Sequence, residues 1–277
     1  MSQSGQQQQD QMQQTVLQAN NLSWSAENTP IIKAINFSLK AGETVAIVGP
    51  NGAGKTSLLK CLFGEYQNHS GEVTLQGTPL CQLSHKQIAR KIAVVSQHAD
   101  TVFNLTPLDI VRMGLVPNKT LFELDTDNDR QNISQALSKV DLLEKQLQPF
   151  NTLSGGEQQR VLIARAIVQS ADILIMDEPT NHLDIYYQHQ IIQLAKSLNI
   201  TLLLTIHDLN LAAQYCDRMV LMNQGQIVID DSPARVLKPE ILKSVFKLNC
   251  HVDSNPFDQQ PRVTFSGLIT QKEQGHD

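Results

Sequence analysis

The stretch ETVAIVGPNGAGKTSLLKCLFG, at residues 43–64, decides the fold of this chain. Residues 43–48 have the length of a buried strand and end in the apolar run VAIV, and the residues after the glycines have apolar side chains at helical spacing. Between them, residues 49–56 fit the pattern G-x-x-x-x-G-K-[ST] of the P-loop, which requires a strand before it and a helix after it. The stretch therefore predicts a strand, a phosphate-binding loop and a helix, in that order.

Each residue type in this loop suits the binding of a phosphate chain. Glycines allow backbone N–H groups to surround a phosphate, and the N-terminus of the following helix adds a favourable dipole. The ammonium of Lys55 is predicted to reach the β- and γ-phosphates, and the hydroxyl of Thr56 to bind Mg²⁺. The predicted nucleotide contacts in the loop are Gly49, Pro50, Asn51, Gly52, Ala53, Gly54, Lys55, Thr56 and Ser57. A P-loop alone leaves kinases, GTPases and motor ATPases open.

A second apolar run, ILIM at residues 173–176, ends in the acids Asp177 and Glu178. This form is expected of a buried strand that brings carboxylates to the phosphate end of a sheet. Asp177 would hold Mg²⁺, directly or through water, and Glu178 would polarise the attacking water. Two acids after a strand are by themselves more often a solvated turn, so this prediction depends on the other motifs.

The segment LSGGEQQR, residues 153–160, has the features of a second helix N-terminus that holds an anion. Ser154 is a suitable N-cap, and Gly155 and Gly156 leave backbone N–H groups unshielded before the helical pattern VLIARAIVQ. Without the P-loop and the acids, Ser-Gly-Gly would indicate an ordinary flexible loop.

Strand and helix patterns alternate along most of the chain. Short strands follow residue 15, a hairpin is predicted at residues 71–80, and IAVVSQ reads as a further buried strand. Residues 99–151 are polar and helix-patterned, which indicates a helical subdomain inserted into an α/β core. The core continues with a helix from Ser154 and with the runs ILIM and TLLLTI, each followed by a helix. This alternation predicts a mainly parallel sheet.

The composition limits the partners and the location of the chain. The 277 residues carry a formal net charge of -5, which argues against a general nucleic-acid binder. No apolar run approaches the roughly 18 residues of a membrane-spanning helix, and the start of the chain lacks the features of a signal peptide, so we expect a cytoplasmic protein. Residues 1–14 are glutamine-rich and predicted to be disordered. The dispersed cysteines Cys61, Cys81, Cys216 and Cys250 are predicted to be reduced thiols.

The segment LSGGEQQR resembles the signature motif of the ABC (ATP-binding cassette) ATPases, which other P-loop families lack. The resemblance covers residues 15–253 and keeps the order of the family's motifs. Gln97 resembles the Q-loop glutamine, NHLD at residues 181–184 the D-loop, and His207 the switch histidine. The resemblance implies an α/β fold: a P-loop NTPase (RecA-like) core with an N-terminal antiparallel β subdomain and an inserted α-helical subdomain at about residues 99–160. Residues 254–277 are left as a C-terminal tail.

In this family, ATP lies between two cassettes arranged head-to-tail, with the P-loop of one facing the signature motif of the other. The resemblance implies an ATPase that forms a homodimer on binding ATP and separates after hydrolysis. It implies that Glu178 is the base, and that His207 and Gln97 contact the γ-phosphate, Mg²⁺ or the attacking water. The implied Mg²⁺ ligands are Thr56, Gln97 and Asp177. The implied nucleotide contacts outside the P-loop are Ser154, Gly155, Gly156, Asp184 and Trp24.

The adenine-stacking position departs from the family pattern. Many members place an aromatic ring under the base where this chain has Ala26, and the nearby aromatic residue is Trp24. Two interpretations of Trp24 are open: it stacks on the adenine, or it packs in the core.

Three kinds of ABC protein fit these motifs: the ATPase of a membrane importer, a soluble cassette acting on ribosomes or DNA, and a soluble cassette of cofactor assembly. DNA-repair cassettes insert long coiled-coil arms between the Q-loop and the signature motif, and the span from Gln97 to Ser154 is too short for them. Ribosome-acting cassettes normally hold two cassettes in one chain, and this chain has one P-loop. Because these arguments count against cassettes that act on DNA or ribosomes, they favour the ATPase of a membrane importer.

The segments TPLDIVRMGLVPN, PTNHLDIYYQ and residues 225–252 resemble the ATPases of bacterial ferric-siderophore, haem and cobalamin importers. The resemblance implies import of a ferric siderophore or another iron chelate; haem or cobalamin import, or soluble cofactor assembly, are alternatives. It also implies transmembrane permease subunits and a periplasmic or lipoprotein substrate-binding protein as partners, no nucleic acid, and a peripheral location on the cytoplasmic face of the inner membrane. The permease would insert short helices into an exposed apolar groove between the core and the helical subdomain, close to Gln97.

Overall fold

The computed structural model describes residues 14–96, 105–120 and 123–268. Its strands are β1 (Thr15–Ala26), β2 (Thr29–Lys40), β3 (Thr44–Val48), β4 (Ser70–Leu75), β5 (Thr78–Pro79), β6 (Ile92–Val95), β7 (Ile173–Met176), β8 (Thr201–Thr205), β9 (Arg218–Asn223), β10 (Gln226–Asp231), β11 (Leu248–Ser254) and β12 (Pro261–Leu268). Its α-helices are α1 (Lys55–Leu62), α2 (His85–Ala89), α3 (Pro107–Arg112), α4 (Asp127–Lys139), α5 (Gly155–Gln169), α6 (Ile185–Ser197), α7 (Leu209–Tyr215), α8 (Pro233–Val236) and α9 (Pro239–Phe246). Short 3₁₀ segments lie at Leu80–Gln82, Met113–Asn118, Leu143–Lys145 and Phe150–Thr152. The strand, loop and helix predicted for residues 43–64 are confirmed by β3 and α1.

A sheet with the strand order β10-β9-β3-β8-β7-β6 forms the centre of the fold. Its pairings are parallel except for β9 with β10, so the predicted mainly parallel sheet is confirmed. Every residue of β3, β7 and β8 is buried, as expected for strands covered on both faces. Because the carboxyl ends of parallel strands meet at one edge of the sheet, the residues that follow β3, β7 and β8 are brought together.

A smaller antiparallel sheet, in the order β2-β1-β4-β5, covers one face of the central sheet. Val45 and Ile47 of β3 pack in one apolar cluster with residues of this sheet and with Leu58 of α1. Ala46 and Val48, the alternate residues of β3, pack in a second cluster with residues of α5, α6 and α7. The strand that leads into the P-loop is therefore fixed from both faces.

Between β6 and β7, the described residues form helices α3, α4 and α5 together with 3₁₀ segments. Each of these α-helices begins with a capping box, in which two side chains satisfy backbone N–H groups of the first turn. The pairs are Thr106 with Asp109, Thr126 with Asp129, and Ser154 with Glu157. Helix α5 reaches the central sheet, where Arg165 donates to the carbonyl of Val94 in β6 at 2.8 Å. The predicted fold class, an α/β P-loop core with an antiparallel β subdomain and an inserted helical subdomain, is confirmed.

The C-terminal region differs from the predicted tail. The predicted boundary after residue 253 falls inside a hairpin of β11 and β12, and Val263 beyond it is 5% exposed and part of the main core. Within β12 only this residue is buried, so the alternation of buried and exposed residues that marks a strand was too weak to recognise. Residues 1–13 and Gln97, for which predictions were made, lie outside the described residues.

The cysteines are all free, as predicted. Burial raises the pKa of the Cys61 and Cys216 thiols to about 12, so both remain protonated and unreactive at neutral pH. Within the described ranges, no helix combines enough length and apolar character to cross a membrane.

Candidate functional site

The P-loop is a glycine-rich segment that connects the carboxyl end of β3 to the start of α1. Gly49 has a φ of 146°, and a Cβ at this position would collide with the backbone carbonyl of Met222 on the neighbouring strand β9. Gly54, the N-cap of α1, has a φ of 98° and lies against Ile31 and Ile32 of β2. Side chains at either position would be strained and would clash, so the loop conformation depends on glycine.

Lys55 lies in the centre of this loop and is only 5% exposed. Its ammonium donates to the carbonyl oxygens of Gly49 at 2.9 Å and Pro50 at 3.1 Å. Burial lowers the pKa of Lys55, and the carboxylates of Glu178 and Asp177 act in the opposite direction. The P-loop carbonyls thus hold the ammonium close to the two acids that follow β7.

Asp177 is fixed by hydroxyl groups from two other elements. Its Oδ1 accepts from the hydroxyl of Thr56 on α1 at 3.1 Å and from the hydroxyl of Thr205 at the end of β8 at 2.7 Å. The Thr205 hydroxyl also accepts from the backbone N–H of Glu178 at 2.7 Å. Thr205 is completely buried, so this one side chain positions both acids.

Glu178 is held at both of its carboxylate oxygens. Its Oε1 lies 2.6 Å from Nε2 of His207, and its Oε2 accepts from the side-chain amide of Asn181. Its φ of 49° is left-handed, a conformation that costs a non-glycine residue about 1–3 kcal/mol and that is found mainly at functional sites. The carboxylate therefore has a defined direction at the phosphate edge of the sheet.

The Ser-Gly-Gly segment forms a separate helix N-terminus. The Ser154 hydroxyl caps α5 by accepting from the N–H of Glu157 at 3.4 Å, and the Glu157 carboxylate accepts from the N–H of Ser154 at 2.8 Å. Lys145, 2.5 Å from Glu157, helps to lower the pKa of that carboxyl group to about 2. Gly156 faces the ring of Tyr187 so closely that a Cβ would press against it at 3.0 Å.

The structure thus assembles five of the predicted site residues into one cluster with direct contacts and leaves others apart. Lys55, Thr56, Asp177, Glu178 and His207 share the phosphate edge of the sheet. Among the described residues, no hydrogen bond joins residues 154–156 to the P-loop. Asp184 is the N-cap of α6 and is exposed.

Trp24, on β1, makes its contacts with the loop between α1 and β4. Its ring stacks on Tyr66 at a centroid distance of 4.2 Å and an interplanar angle of 10°, and its Nε1 donates to Asn68 at 3.1 Å. The ring is partly buried against the apolar cluster under β3. These contacts fit the core-packing interpretation, and they leave one face of the indole uncovered by Tyr66.

The sequence analysis missed Thr205 as a site residue. A weak signal was present, because the apolar run TLLL of β8 ends in a hydroxyl residue two positions before the predicted switch histidine. A buried hydroxyl at the carboxyl end of a parallel strand needs a partner, and the adjacent strand β7 ends in acids.

Comparison with known proteins agrees with this geometry. The protein-family model described as ABC transporter matches residues 32–181, which is more than half of the chain. The chain belongs to the ABC transporter family.

Two relatives of this ABC chain are import proteins. It is 34% identical to the iron(3+)-hydroxamate import ATP-binding protein FhuC of Bacillus subtilis (strain 168), over 88% of this chain and 92% of that protein. It is also 34% identical to the hemin import ATP-binding protein HmuV of Vibrio parahaemolyticus, over 91% and 98%.

Solved ABC structures share the fold. A metal-chelate type ABC transporter in an inward-facing conformation superposes with a TM-score of 0.79 at 27% identity, covering 92% of this chain and 98% of that one. The dimeric structure of MJ0796, a bacterial ABC transporter cassette, gives a TM-score of 0.69 at 27% identity, covering 78% and 98%. This chain is therefore an ABC ATPase with the P-loop NTPase fold.

Replacement of Thr205 by valine tests the position of the acids in this ABC ATPase. We expect kcat for ATP hydrolysis to fall about tenfold or more, because Asp177 loses a donor and the Glu178 N–H loses its acceptor. We expect the free energy of unfolding to fall by about 1–3 kcal/mol, since the Glu178 N–H loses its partner and Asp177 keeps only its hydrogen bond with Thr56. Steady-state phosphate release and urea unfolding measure the two effects.

Thr201 at the other end of β8 provides the matched control. Thr201 is 4% exposed, and its hydroxyl accepts from the N–H of Gly42 at 3.0 Å. This contact lies at the opposite end of β8 from the acids. Thr201→Val should destabilise the fold by a similar amount and leave kcat within about twofold. An unchanged kcat in Thr205→Val would contradict the positioning role.

Proposed function

We propose that this chain is the ATP-hydrolysing subunit of a membrane ABC importer, and that it couples head-to-tail dimerisation and ATP hydrolysis to the uptake of a ferric siderophore or another iron chelate. One observation carries the mechanism: the P-loop, the acids and His207 meet at one edge of the sheet, while Ser154, Gly155 and Gly156 form a separate helix N-terminus. The names of the relatives support the import function.

In this proposal the P-loop binds the phosphates of ATP, with contacts from Gly49, Pro50, Asn51, Gly52, Ala53, Gly54, Lys55, Thr56 and Ser57. The buried ammonium of Lys55 exchanges its two carbonyl partners for the β- and γ-phosphate oxygens, a stronger charge-assisted interaction. Trp24 and Asp184 are proposed as further nucleotide contacts, Trp24 through the indole face that Tyr66 leaves uncovered.

The donor atoms of the cluster fit Mg²⁺. The Thr56 hydroxyl and an Asp177 carboxylate oxygen are hard oxygen ligands already 3.1 Å apart, and Mg²⁺ prefers such ligands together with phosphate oxygens and water. Thr56 and Asp177 would hold the ion, and Gln97 is proposed as a further ligand. When bound, Mg²⁺ neutralises negative charge on the phosphates.

Glu178 is proposed as the general base for the attacking water. Its carboxylate accepts the proton of the water as the oxygen attacks the γ-phosphorus, the bond between this phosphorus and the β,γ-bridging oxygen breaks, and ADP leaves. His207 keeps Oε1 in place from 2.6 Å away. Asn181 fixes the second oxygen of the carboxylate. His207 and Gln97 are proposed to contact the γ-phosphate or the attacking water once ATP is bound.

A second copy of this chain is proposed to complete the site. Ser154, Gly155 and Gly156 of one copy would bind the γ-phosphate held by the P-loop of the other. Beside them, Ile185 and Tyr186 follow Asp184 with 75% and 69% exposure, which are high values for large apolar side chains. The dimeric ABC cassette among the similar structures supports this arrangement.

The permease of the importer is proposed to dock in a groove between α2 and the segment Met113–Asn118. The groove has a volume of about 780 Å³ and is lined by both apolar and charged residues. Its apolar residues include Met113 and Val116, which are 44% and 66% exposed, and its charged residues include Lys86 and Arg112. Arg90 bridges its two walls by donating to the carbonyl of Pro117 at 2.8 Å. A preformed groove with apolar and charged residues in its lining suits a short amphipathic helix of a membrane partner.

Val116→Asp tests this groove. We expect import, and the stimulation of ATP hydrolysis by the permease, to fall about tenfold or more, because a carboxylate would be buried against the docked helix. ATP hydrolysis by the isolated subunit should stay within about twofold of wild type, since the Val116 side chain is largely exposed to solvent in the free subunit. Reconstituted complexes in vesicles provide both measurements.

The control is Val228→Asp, at a 46% exposed valine on β10 outside the groove. Val228→Asp should leave both import and assembly with the permease unchanged. Normal import by Val116→Asp would argue against the groove as the permease site.

The transported substrate is tested by uptake. Cells that lack this chain should lose uptake of a radiolabelled iron(3+)-hydroxamate and regain it when the chain is restored. Haem is the second candidate because a hemin importer ATPase is as similar as the hydroxamate one, and cobalamin is the third. Loss of hemin or cobalamin uptake with normal hydroxamate uptake would replace the iron-chelate proposal. A substrate-binding protein and a position on the cytoplasmic face of the inner membrane belong to the same proposal.

A further inference from the structure

A side chain at the start of α7 is joined to the C-terminal hairpin of β11 and β12. The carboxamide of Asn210 donates from Nδ2 to the carbonyl of Val263 at 3.1 Å and accepts from the N–H of Val263 at 2.7 Å. Asn210 thus forms with β12 the pair of hydrogen bonds that a neighbouring strand would form, and it satisfies both backbone groups of one residue.

The hairpin is a fixed partner for Asn210. The Val263 side chain is 5% exposed and belongs to the main apolar core. Two positions further along β12, Phe265 packs edge-to-face on Phe246 of α9 with ring centroids 5.9 Å apart. The two strands are also joined by the ion pair of Arg262 with Asp253, at 2.7 Å. The hairpin therefore has anchors outside α7 as well, in the apolar core and on α9.

Asn210 lies one helical turn from the proposed γ-phosphate contact His207. Asp208, the N-cap of α7, accepts from the N–H of Asn210 at 2.8 Å and from the N–H of Leu211 at 3.0 Å. His207 precedes this cap directly. Among the described residues, the only side-chain hydrogen bond of the His207 ring is its contact with Glu178. The direction of the ring therefore depends on the backbone that carries it, at the junction of β8 and α7.

We propose that Asn210 is a positioning residue for His207: by tying the first turn of α7 to Val263, it fixes the backbone of His207 and so the geometry of His207 with Glu178. The inference rests on the proposed function, in which His207 acts at the hydrolytic site. It assigns the C-terminal hairpin a part in the hydrolysis step and not in nucleotide binding, because the P-loop lies on a different strand and helix.

Asn210→Leu removes both hydrogen bonds at nearly the same side-chain size, and Asn210→Ala removes them without added bulk. We expect kcat for ATP hydrolysis to fall roughly tenfold in both variants, as is typical when a catalytic group is slightly misplaced, while KM for ATP and the affinity for ATP change by less than about twofold. The ring NMR signal of His207, assigned with a His207→Gln variant, should shift or broaden in both variants. Thermal unfolding verifies that each variant is folded, and if one of them does not fold, the other is used.

Arg262→Leu is the matched control, because it also removes two hydrogen bonds of the hairpin, those with Asp253, but none with α7. It should leave kcat and the His207 signal unchanged. The proposal is overturned by a kcat within about twofold of wild type in both Asn210 variants, or by an equal fall in Arg262→Leu, which would indicate a general effect of hairpin stability. If Glu178→Gln abolishes hydrolysis and the Asn210 variants are normal, only this inference fails; if Glu178→Gln hydrolyses ATP normally, the proposed hydrolytic site itself fails.

Discussion

The Glu178→Gln variant is expected to bind ATP and to form a stable dimer, while its ATP hydrolysis is about 100- to 10,000-fold slower than that of wild type. Glutamine keeps the size of the side chain, and its single carbonyl oxygen can accept from Asn181 while its NH2 group faces the His207 ring, but it has no carboxylate to accept a proton from the attacking water. The γ-phosphate therefore persists between the two copies. Since loss of this phosphate is what releases the dimer in the proposed cycle, the variant accumulates in the dimeric state.

Size-exclusion chromatography with light scattering, with and without ATP and Mg²⁺, measures the dimer, and phosphate release measures turnover. Glu72→Gln is the matched control, because Glu72 is exposed on β4 and removed from the phosphate edge. It should hydrolyse ATP at the wild-type rate and show no persistent dimer. Normal hydrolysis by Glu178→Gln would remove Glu178 from its proposed role. A slow enzyme that stays monomeric with ATP, both in solution and on the membrane complex, would contradict the head-to-tail scheme instead.

The centre of the fold was predictable because burial and motif agree there. β3, β7 and β8 are short apolar runs that end in residues of unusual chemistry: the P-loop glycines, Asp177 with Glu178, and Thr205 followed by His207. A run buried on both faces must lie inside a parallel sheet, and parallel strands bring their carboxyl ends to one edge. The cluster of Lys55, Asp177 and Glu178 follows from these facts with no knowledge of the loops between them.

The rest depends on contacts between residues that are remote in sequence and carry no local pattern. The hydroxyl at the end of β8 is a weak signal for Thr205 as a site residue, but nothing near Thr205 indicates that β8 is the neighbour of β7. The hydrogen bond of Thr205 with Asp177 was therefore not predictable. The stack of Trp24 on Tyr66 joins a strand to the loop after α1, across more than forty residues. β12 buries only Val263, and that side chain is fixed by the core together with Asn210 and not by a pattern within the strand.

Lys55→Ala is expected to remove the supply of energy for import altogether. The ammonium of Lys55 is the one buried cation that the P-loop places at the phosphates among the described residues, and its loss should lower ATP hydrolysis about 100- to 1,000-fold, as is found when a preorganised charge is removed from an active site. The fold should survive, because alanine favours the first turn of α1 and the removal of a buried charge ends a desolvation cost. Cells that carry Lys55→Ala should therefore contain normal amounts of the protein but fail to grow with an iron(3+)-hydroxamate as the sole iron source.

The control is Lys60→Ala, on the same helix. Lys60 is also a lysine, but it pairs with Glu65 at 2.9 Å on the surface and has no contact with the P-loop. Removal of an exposed pair changes stability by at most about 1 kcal/mol, so Lys60→Ala should bind ATP and support growth.

Measurement of both ATP hydrolysis and growth distinguishes an error in the proposed ATPase site from an error in the proposed substrate. If Lys55→Ala lacks ATPase activity and growth on the hydroxamate is still normal, the chain remains an ABC ATPase but does not supply energy for hydroxamate uptake, and hemin becomes the substrate to test. If Lys55→Ala hydrolyses ATP normally, the proposed role of the P-loop at the phosphates fails, since no other described cation lies between its carbonyls and the acids.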